Sequence, residues 1–280
     1  MGMNAGFVGG TRGSLFCVVH EPDDGRPRGS VLYVHPFAEE HNKSRRMAAQ
    51  QARALSAAGW RVVMPDLYGC GDSGGDFGDA DWTGWLDDVR GVLQAIADQH
   101  PGPVHVWGLR AGCLLIAQVV GGEISTGAPT PVPVAVDSIT YWQPVVNGEQ
   151  FLTQFLRLRM SAAMMGGGKE TTRELRARLD AGEKLEVAGY ALSPGLAAGL
   201  AAARLAPPPA GVRANWLEVA SGETADLSPA SRKLVEAWRQ AGHDVRAQVV
   251  AGEGFWGTQE IREVPELVTL TATLIAGVQP

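Results

Sequence analysis

Residues 104–115 constrain this chain more than any other stretch. Val104-His105-Val106-Trp107 is an apolar run rich in β-branched residues that reads as a buried strand, and Leu114, Leu115, Ala117 and Val119 continue as an apolar helical run. Between them stands Gly108-Leu109-Arg110-Ala111-Gly112. This is the frame G-x-S-x-G, in which small residues flank a side chain held on a strained strand-to-helix turn above the carboxyl end of a parallel sheet. Arg110 stands where that frame has its serine. The turn is present and its hydroxyl nucleophile is not.

The rest of the chain supplies the sheet such a turn needs. Residues 14–20 and 30–35 are short strand-like runs separated by the turn cluster Glu21-Pro22-Asp23-Asp24-Gly25, and are expected to pair as an antiparallel hairpin. A polar loop over 35–46 leads into an alanine-rich helix that stops at Gly59. A strand over 60–66 ends in a glycine-rich loop, residues 66–75. Trp82, Trp85, Leu86, Val89, Val92, Leu93 and Ile96 fall at helical spacing and predict a helix over 82–99. A strand over 132–142 follows the central stretch. The alternation implies right-handed crossovers and a parallel sheet covered on both faces. Residues 147–206 break the rhythm with helical stretches at 151–160, 171–179 and 196–205 and a short run at 184–190, placed where a lid would stand. After Pro207-Pro208-Pro209 the alternation resumes with strands at 212–220 and 245–251 and helices at 228–242 and 260–276.

Bulk properties narrow the function classes. A chain of 280 residues can bury a large core as one domain with an insertion. A net charge of -6 without a basic stripe argues against nucleic-acid binding. Cys17, Cys70 and Cys113 are scattered and odd in number, which fits a reducing compartment better than a disulfide framework. Residues 1–10 carry no leader pattern, Gly6 stands where a myristoylation signal wants Ser or Thr, and no apolar run reaches about 18 residues. A cytoplasmic protein with no integral membrane segment, metal or cofactor is expected.

Four stretches carry a family resemblance: Pro36-Phe37-Ala38-Glu39-Glu40, Asn42-Lys43-Ser44-Arg45-Arg46, Asp66-Leu67-Tyr68-Gly69-Cys70-Gly71-Asp72-Ser73 and Gly108-Leu109-Arg110. With the order of elements they resemble the α/β-hydrolase superfamily over nearly the whole chain, and more narrowly the type 2 hydrolase associated with the exosortase A system. The resemblance implies an α/β-hydrolase fold: a mostly parallel eight-stranded sheet with helices on both faces, a core of residues 1–146 and 207–280, and a helical lid at 147–206. It also implies a bacterial protein encoded beside exopolysaccharide and protein-sorting genes. His41 stands where an apolar Met is expected in that family.

In this superfamily the catalytic partners follow the nucleophile in the order acid, then histidine. Asp226 lies at the acid position by order and spacing. The histidine position falls within Gly252-Glu253-Gly254-Phe255-Trp256-Gly257, which contains none. Loss of the serine or its base costs on the order of 10⁶ in turnover, so an acyl-enzyme mechanism is not expected.

Each remaining candidate has a plain structural reading beside the functional one. Asp226 suits a loop or helix cap, Cys113 a buried thiol, and Ser73 and Asp72 turn hydrogen bonds. Phe255 and Trp256 suit core packing or a ligand platform at the pocket mouth. His41 with Glu39 or Glu40 forms either a solvated loop cluster or an acid–base pair. Arg110, set over a helix N-terminus, needs an anion. Glu39 or Glu40 supplies it as an ion pair, or a ligand carboxylate or phosphate does so together with the backbone N–H groups of Ala111 and Phe37. The leading expectation is a degenerate hydrolase that binds an anionic or acyl ligand, or a protein partner. The alternative is an enzyme of non-triad mechanism drawing on His41, Glu39, Glu40, Arg110 and Asp226.

Overall fold

The structure is a computed structural model that describes residues 2–122, 134–165, 169–222 and 226–277. An eight-stranded sheet runs through the molecule in the order β1 (Gly2–Gly9), β2 (Ser14–Glu21), β4 (Arg61–Pro65), β3 (Ser30–Val34), β5 (Val104–Leu109), β6 (Ser138–Trp142), β9 (Arg213–Ala220), β10 (Val245–Ala251). The pairs β1–β2 and β2–β4 are antiparallel and every pair from β4 to β10 is parallel. Between β6 and β9 the chain forms α4 (Gly148–Met165), α5 (Thr172–Asp180), the small hairpin β7 (Leu185–Val187) with β8 (Tyr190–Leu192), and α6 (Pro194–Ala202).

Burial explains the strand order. All five residues of β3, and all of β5 and β6, are buried, as parallel strands covered on both faces must be. Helices α1 (Glu39–Ala57) and α8 (Pro265–Ile275) cover one face, where Met47, Ala52 and Leu55 meet Val31, Trp107, Trp142 and Leu274. The other face packs α2 (Trp82–Gln99), α3 (Gly112–Gly121), α4–α6 and α7 (Pro229–Gln240).

Several sequence expectations are corrected. The hairpin between residues 14–20 and 30–35 does not form: β2 pairs with β1 and β4, and β3 lies on the far side of β4. The wholly buried β3 belongs in the sheet centre, whereas β2 is buried only at alternating positions and suits a place near the edge. β1 escaped notice because its Gly-rich segment is almost entirely exposed. α1 begins at Glu39, inside the expected loop, because Glu39 and Glu40 in its first turn complement the helix dipole. α8 begins only at Pro265, a residue pre-organised for the first helical position. The strand expected over 132–142 spans Ser138–Trp142, and residues 132–133 lie outside the described residues. No helix among the described residues is long and apolar enough to cross a membrane.

The turn at the centre depends on two close approaches. A Cβ on Gly112 would stand 2.5 Å from Val34 O and 2.6 Å from His35 O, and one on Gly108 would stand 2.5 Å from Ile116 Cδ1. The first collision is with rigid backbone and the second with the far end of a side chain. Gly112→Ala should therefore destabilise the protein by about 1–3 kcal/mol and by more than Gly108→Ala does, measured by denaturant unfolding. Equal costs at the two positions would show that the α3–β3 approach is not what fixes the turn.

Candidate functional site

Arg110 occupies the corner between β5 and α3 at φ 55°, a left-handed conformation that costs a non-glycine residue roughly 1–2 kcal/mol. Backbone hydrogen bonds hold it there: Arg110 N–H donates to Trp142 O at 3.0 Å, and Arg110 O accepts from Cys113 N at 3.1 Å and Val145 N at 3.2 Å. The side chain is thereby fixed above the carboxyl ends of the strands.

Its surroundings come from three separated segments. Arg110 Nε donates to Glu40 Oε1 at 3.0 Å, and the guanidinium lies 5.5 Å from the ring centres of both Phe151 on α4 and Trp256 after β10. Cation–π attraction to two rings steadies the charge while leaving its edge open. The two terminal guanidinium nitrogens hydrogen-bond to no other described residue. They face a cleft of about 150 Å³ whose walls include Phe37, Glu39, Glu40, Phe151 and Phe155. Phe37 sets its ring edge-on against Phe151 and Phe155, at 5.9 and 5.1 Å.

The carboxylates of the cleft are under electrostatic stress. Burial pushes Glu40 up to about 7 despite the opposing pull of Arg110, and burial raises Glu39 as well. Glu39 Oε2 and Glu40 Oε2 are both buried without a hydrogen-bond partner. The backbone N–H groups of Phe37 and Ala111 likewise have no partner among the described residues. Phe37 precedes Ala38, whose φ of 50° and ψ of -125° turn the chain sharply into α1.

The other sequence candidates lie elsewhere. His41 stacks on His35 with ring centres 3.9 Å apart, and its Nε2 is 3.4 Å from Asp66 Oδ1 rather than against Glu39 or Glu40. Desolvation and the adjacent His35 hold His41 well below the usual imidazole range. His35 is locked as a neutral tautomer, Nδ1 donating to Pro36 O at 2.8 Å and Nε2 accepting from Leu67 N at 3.2 Å. Asp226 is exposed and ion-paired to Arg232, while Ser228 caps α7. Glu223, Thr224 and Ala225 lie outside the described residues. Phe255 is buried behind the site against Trp142, and Trp256 alone of that pair reaches Arg110. Ser73 Oγ donates to Asp66 O at 2.6 Å and accepts from Phe16 N at 2.8 Å, and Asp72 N–H donates to Asp66 Oδ2 at 3.0 Å. Cys113 is fully buried, its thiol donating to Trp142 O at 3.8 Å, and burial pushes its pKa far up. Cys17 and Cys70 are also free and buried.

Sequence reasoning missed Asp66, which organises His41, Arg45 and the loop after β4. Its place directly after a β-branched strand was the available signal, since ligands of open α/β sheets gather at strand carboxyl ends. Phe151 and Phe155, four residues apart on one helix face, were the signal for the aromatic wall.

The model of the family described as serine aminopeptidase, S33, matches residues 25–166, and the chain belongs to this family of α/β-hydrolases. No curated protein matches the sequence. Among solved structures, Est1E from Butyrivibrio proteoclasticus is similar with a TM-score of 0.65 at 13% identity, the match covering 98% of each chain. A thermostable carboxyl esterase from Bacillus coagulans, in complex with glycerol, gives 0.65 at 15% identity over 99% of each chain. XC6422 from Xanthomonas campestris, described as an α/β serine hydrolase without lid, gives 0.57 at 14% identity over 99% of this chain and 97% of its own. At such identities these likenesses establish the fold.

Glu40 links the site to pH. Its pKa of about 7 in the folded protein exceeds the unfolded value of about 4.3, so the folded state holds the proton more tightly. The resulting stability is fully present below about pH 4 and is lost as pH rises through 7. Glu40→Gln keeps an acceptor for Arg110 without ionising. It should match the parent near pH 4.5 and exceed it by about 2–4 kcal/mol at pH 8 in urea unfolding. A difference that stays constant between those pH values would unlink Glu40 titration from folding.

Proposed function

We propose that this chain is a catalytically degenerate member of its family that holds a small anionic ligand in the cleft over the elbow. The observation that carries this reading is the state of Arg110: its Nε is spent on Glu40, while both terminal nitrogens are open to the cleft. A ligand carboxylate or phosphate would bridge them in the bidentate manner that guanidinium favours, with the N–H groups of Phe37 and Ala111 beside it. Hydroxyl groups on the same ligand would satisfy Glu39 Oε2 and Glu40 Oε2, and its apolar part would rest on Phe37, Phe155 and Leu158. Residues 147–206 act as the lid in this reading, because α4 supplies the aromatic wall of the cleft.

The chemistry of the corner supports lost catalysis. Arginine is no nucleophile at neutral pH, Trp256 stands in the stretch where family order places the general base, and the Cys113 thiol is buried and protonated. The resemblance of residues 36–46 and 66–73 to the exosortase A-associated type 2 hydrolase supports a place in cell-surface polysaccharide or lipid metabolism. Three buried free thiols fit a reducing, cytoplasmic setting.

Thermal unfolding with 3-hydroxybutyrate or glycerol 3-phosphate tests the ligand. Tm should rise with concentration, as linkage requires, and more at pH 6 than at pH 8 because protonated Glu40 no longer competes for Arg110. The rise should disappear in Arg110→Met and persist in Arg157→Met, an exposed change on α4. Equal stabilisation of the parent and Arg110→Met would remove the anchor role. For the catalytic half, incubation with a fluorophosphonate should leave the intact mass unchanged, and Arg110→Ser should stay inert on short esters for want of a base. A stoichiometric adduct on the parent would establish a working nucleophile and end the degenerate reading.

A further inference from the structure

A second cavity of about 250 Å³ lies between α1 and the antiparallel edge of the sheet, and it shares no lining residue with the Arg110 cleft. Phe16 and Val18 on β2 and Met64 on β4 face it and remain half-exposed, because the helix residues opposite them are Ala48 and Ala49, too small to fill the gap. Apolar surface on three side chains of adjacent strands is thereby left uncovered. Eight residues of α1 separate Arg45 at one end from Arg53 at the other, about 12 Å along a helix.

Its two ends are polar and incompletely paired. At one end His20 is buried, with 4% of its surface exposed, and its ring nitrogens hydrogen-bond to no described residue. Desolvation, with Arg53 nearby, lowers its pKa and keeps the ring neutral at pH 7. Arg53 is exposed and has no ion pair among the described residues. At the other end Tyr33 Oη is buried, with the Ser44 hydroxyl as its polar neighbour. Arg45 at that end is already matched by Asp66. One unopposed cation, a neutral imidazole, an apolar run and a buried hydroxyl succeed one another along the cavity. A cation without a counterion at one end of uncovered apolar surface is complementary to an amphipathic anion.

We propose that this slot binds an amphipathic monocarboxylate, its carboxylate on Arg53 beside His20 and its aliphatic chain along Phe16, Val18 and Met64 toward Tyr33. A single negative charge matches the single free cation, and the volume lies just below the roughly 300–1,000 Å³ usual for small-ligand sites. The exposed Met3 and Phe7 of β1 beside the slot extend its apolar approach.

Thermal unfolding and titration calorimetry on the full chain, with acetate, octanoate and decanoate below their micelle concentrations, test this site. In Arg110→Met, which disables the carboxylate cleft over the elbow, stabilisation should be absent with acetate and grow from octanoate to decanoate. It should fall at least tenfold in apparent affinity in Arg53→Met, and likewise in Ala49→Leu, which fills the slot from the helix. Both changes are added to Arg110→Met, so that the other cleft contributes to neither reading. Decan-1-ol, with the chain and no carboxylate, should bind at least tenfold more weakly than decanoate. Loss of decanoate binding in Arg110→Met would assign it to the other cleft and overturn the proposal. So would decanoate binding unaffected by both Arg53→Met and Ala49→Leu, equal binding of the alcohol, or no binding by any chain length.

Discussion

A guanidinium placed at the positive end of a helix must find negative charge, and most of the site geometry follows from that demand. Arg110 sits there because a strand-to-helix turn flanked by Gly108 and Gly112 leaves its backbone no other course. Glu40 answers it from the first turn of α1, which brings a carboxylate into a setting that favours its neutral form. Two aromatic rings then enclose the pair, one from the inserted helices and one from the loop after β10. Glu40, Phe151 and Trp256 thus tie three distant segments of the chain to one side chain.

Much of this architecture was legible in the sequence, for a definable reason. The elbow was readable because its glycines stand at close approaches, Gly112 above all: no side chain fits between α3 and the backbone at the end of β3. Parallel strands such as β3 and β5 announced themselves by dense apolar runs. β1 did not, because an edge strand held by backbone hydrogen bonds needs little apolar signal. The start of α1 was misread because Ala38 offers no side-chain cap, and the acidic pair Glu39-Glu40 in the first turn was its one local mark.

The partners within the site were less legible than its frame. Sequence spacing brought Arg110 and the Glu39-Glu40 pair into proximity without choosing between the two carboxylates, a choice made by which one the helix turns inward. His41 was grouped with those carboxylates by adjacency, yet one residue along a helix rotates a side chain by about 100°, and His41 meets His35 and Asp66 instead. Phe255 and Trp256 show the same effect in a loop: neighbours in sequence, one is committed to the core and the other to the charge.

The stressed state of Glu40 has a consequence for charge conservation in the cleft. With no ligand, Arg110 is balanced by a carboxylate that burial would rather see protonated. On the proposed reading, an anion that settles on the open guanidinium edge lets Glu40 take up a proton, approaching one proton only where the carboxyl starts out ionised. Such a site would take up its ligand together with a proton, and its occupancy would become a function of acidity as well as of concentration.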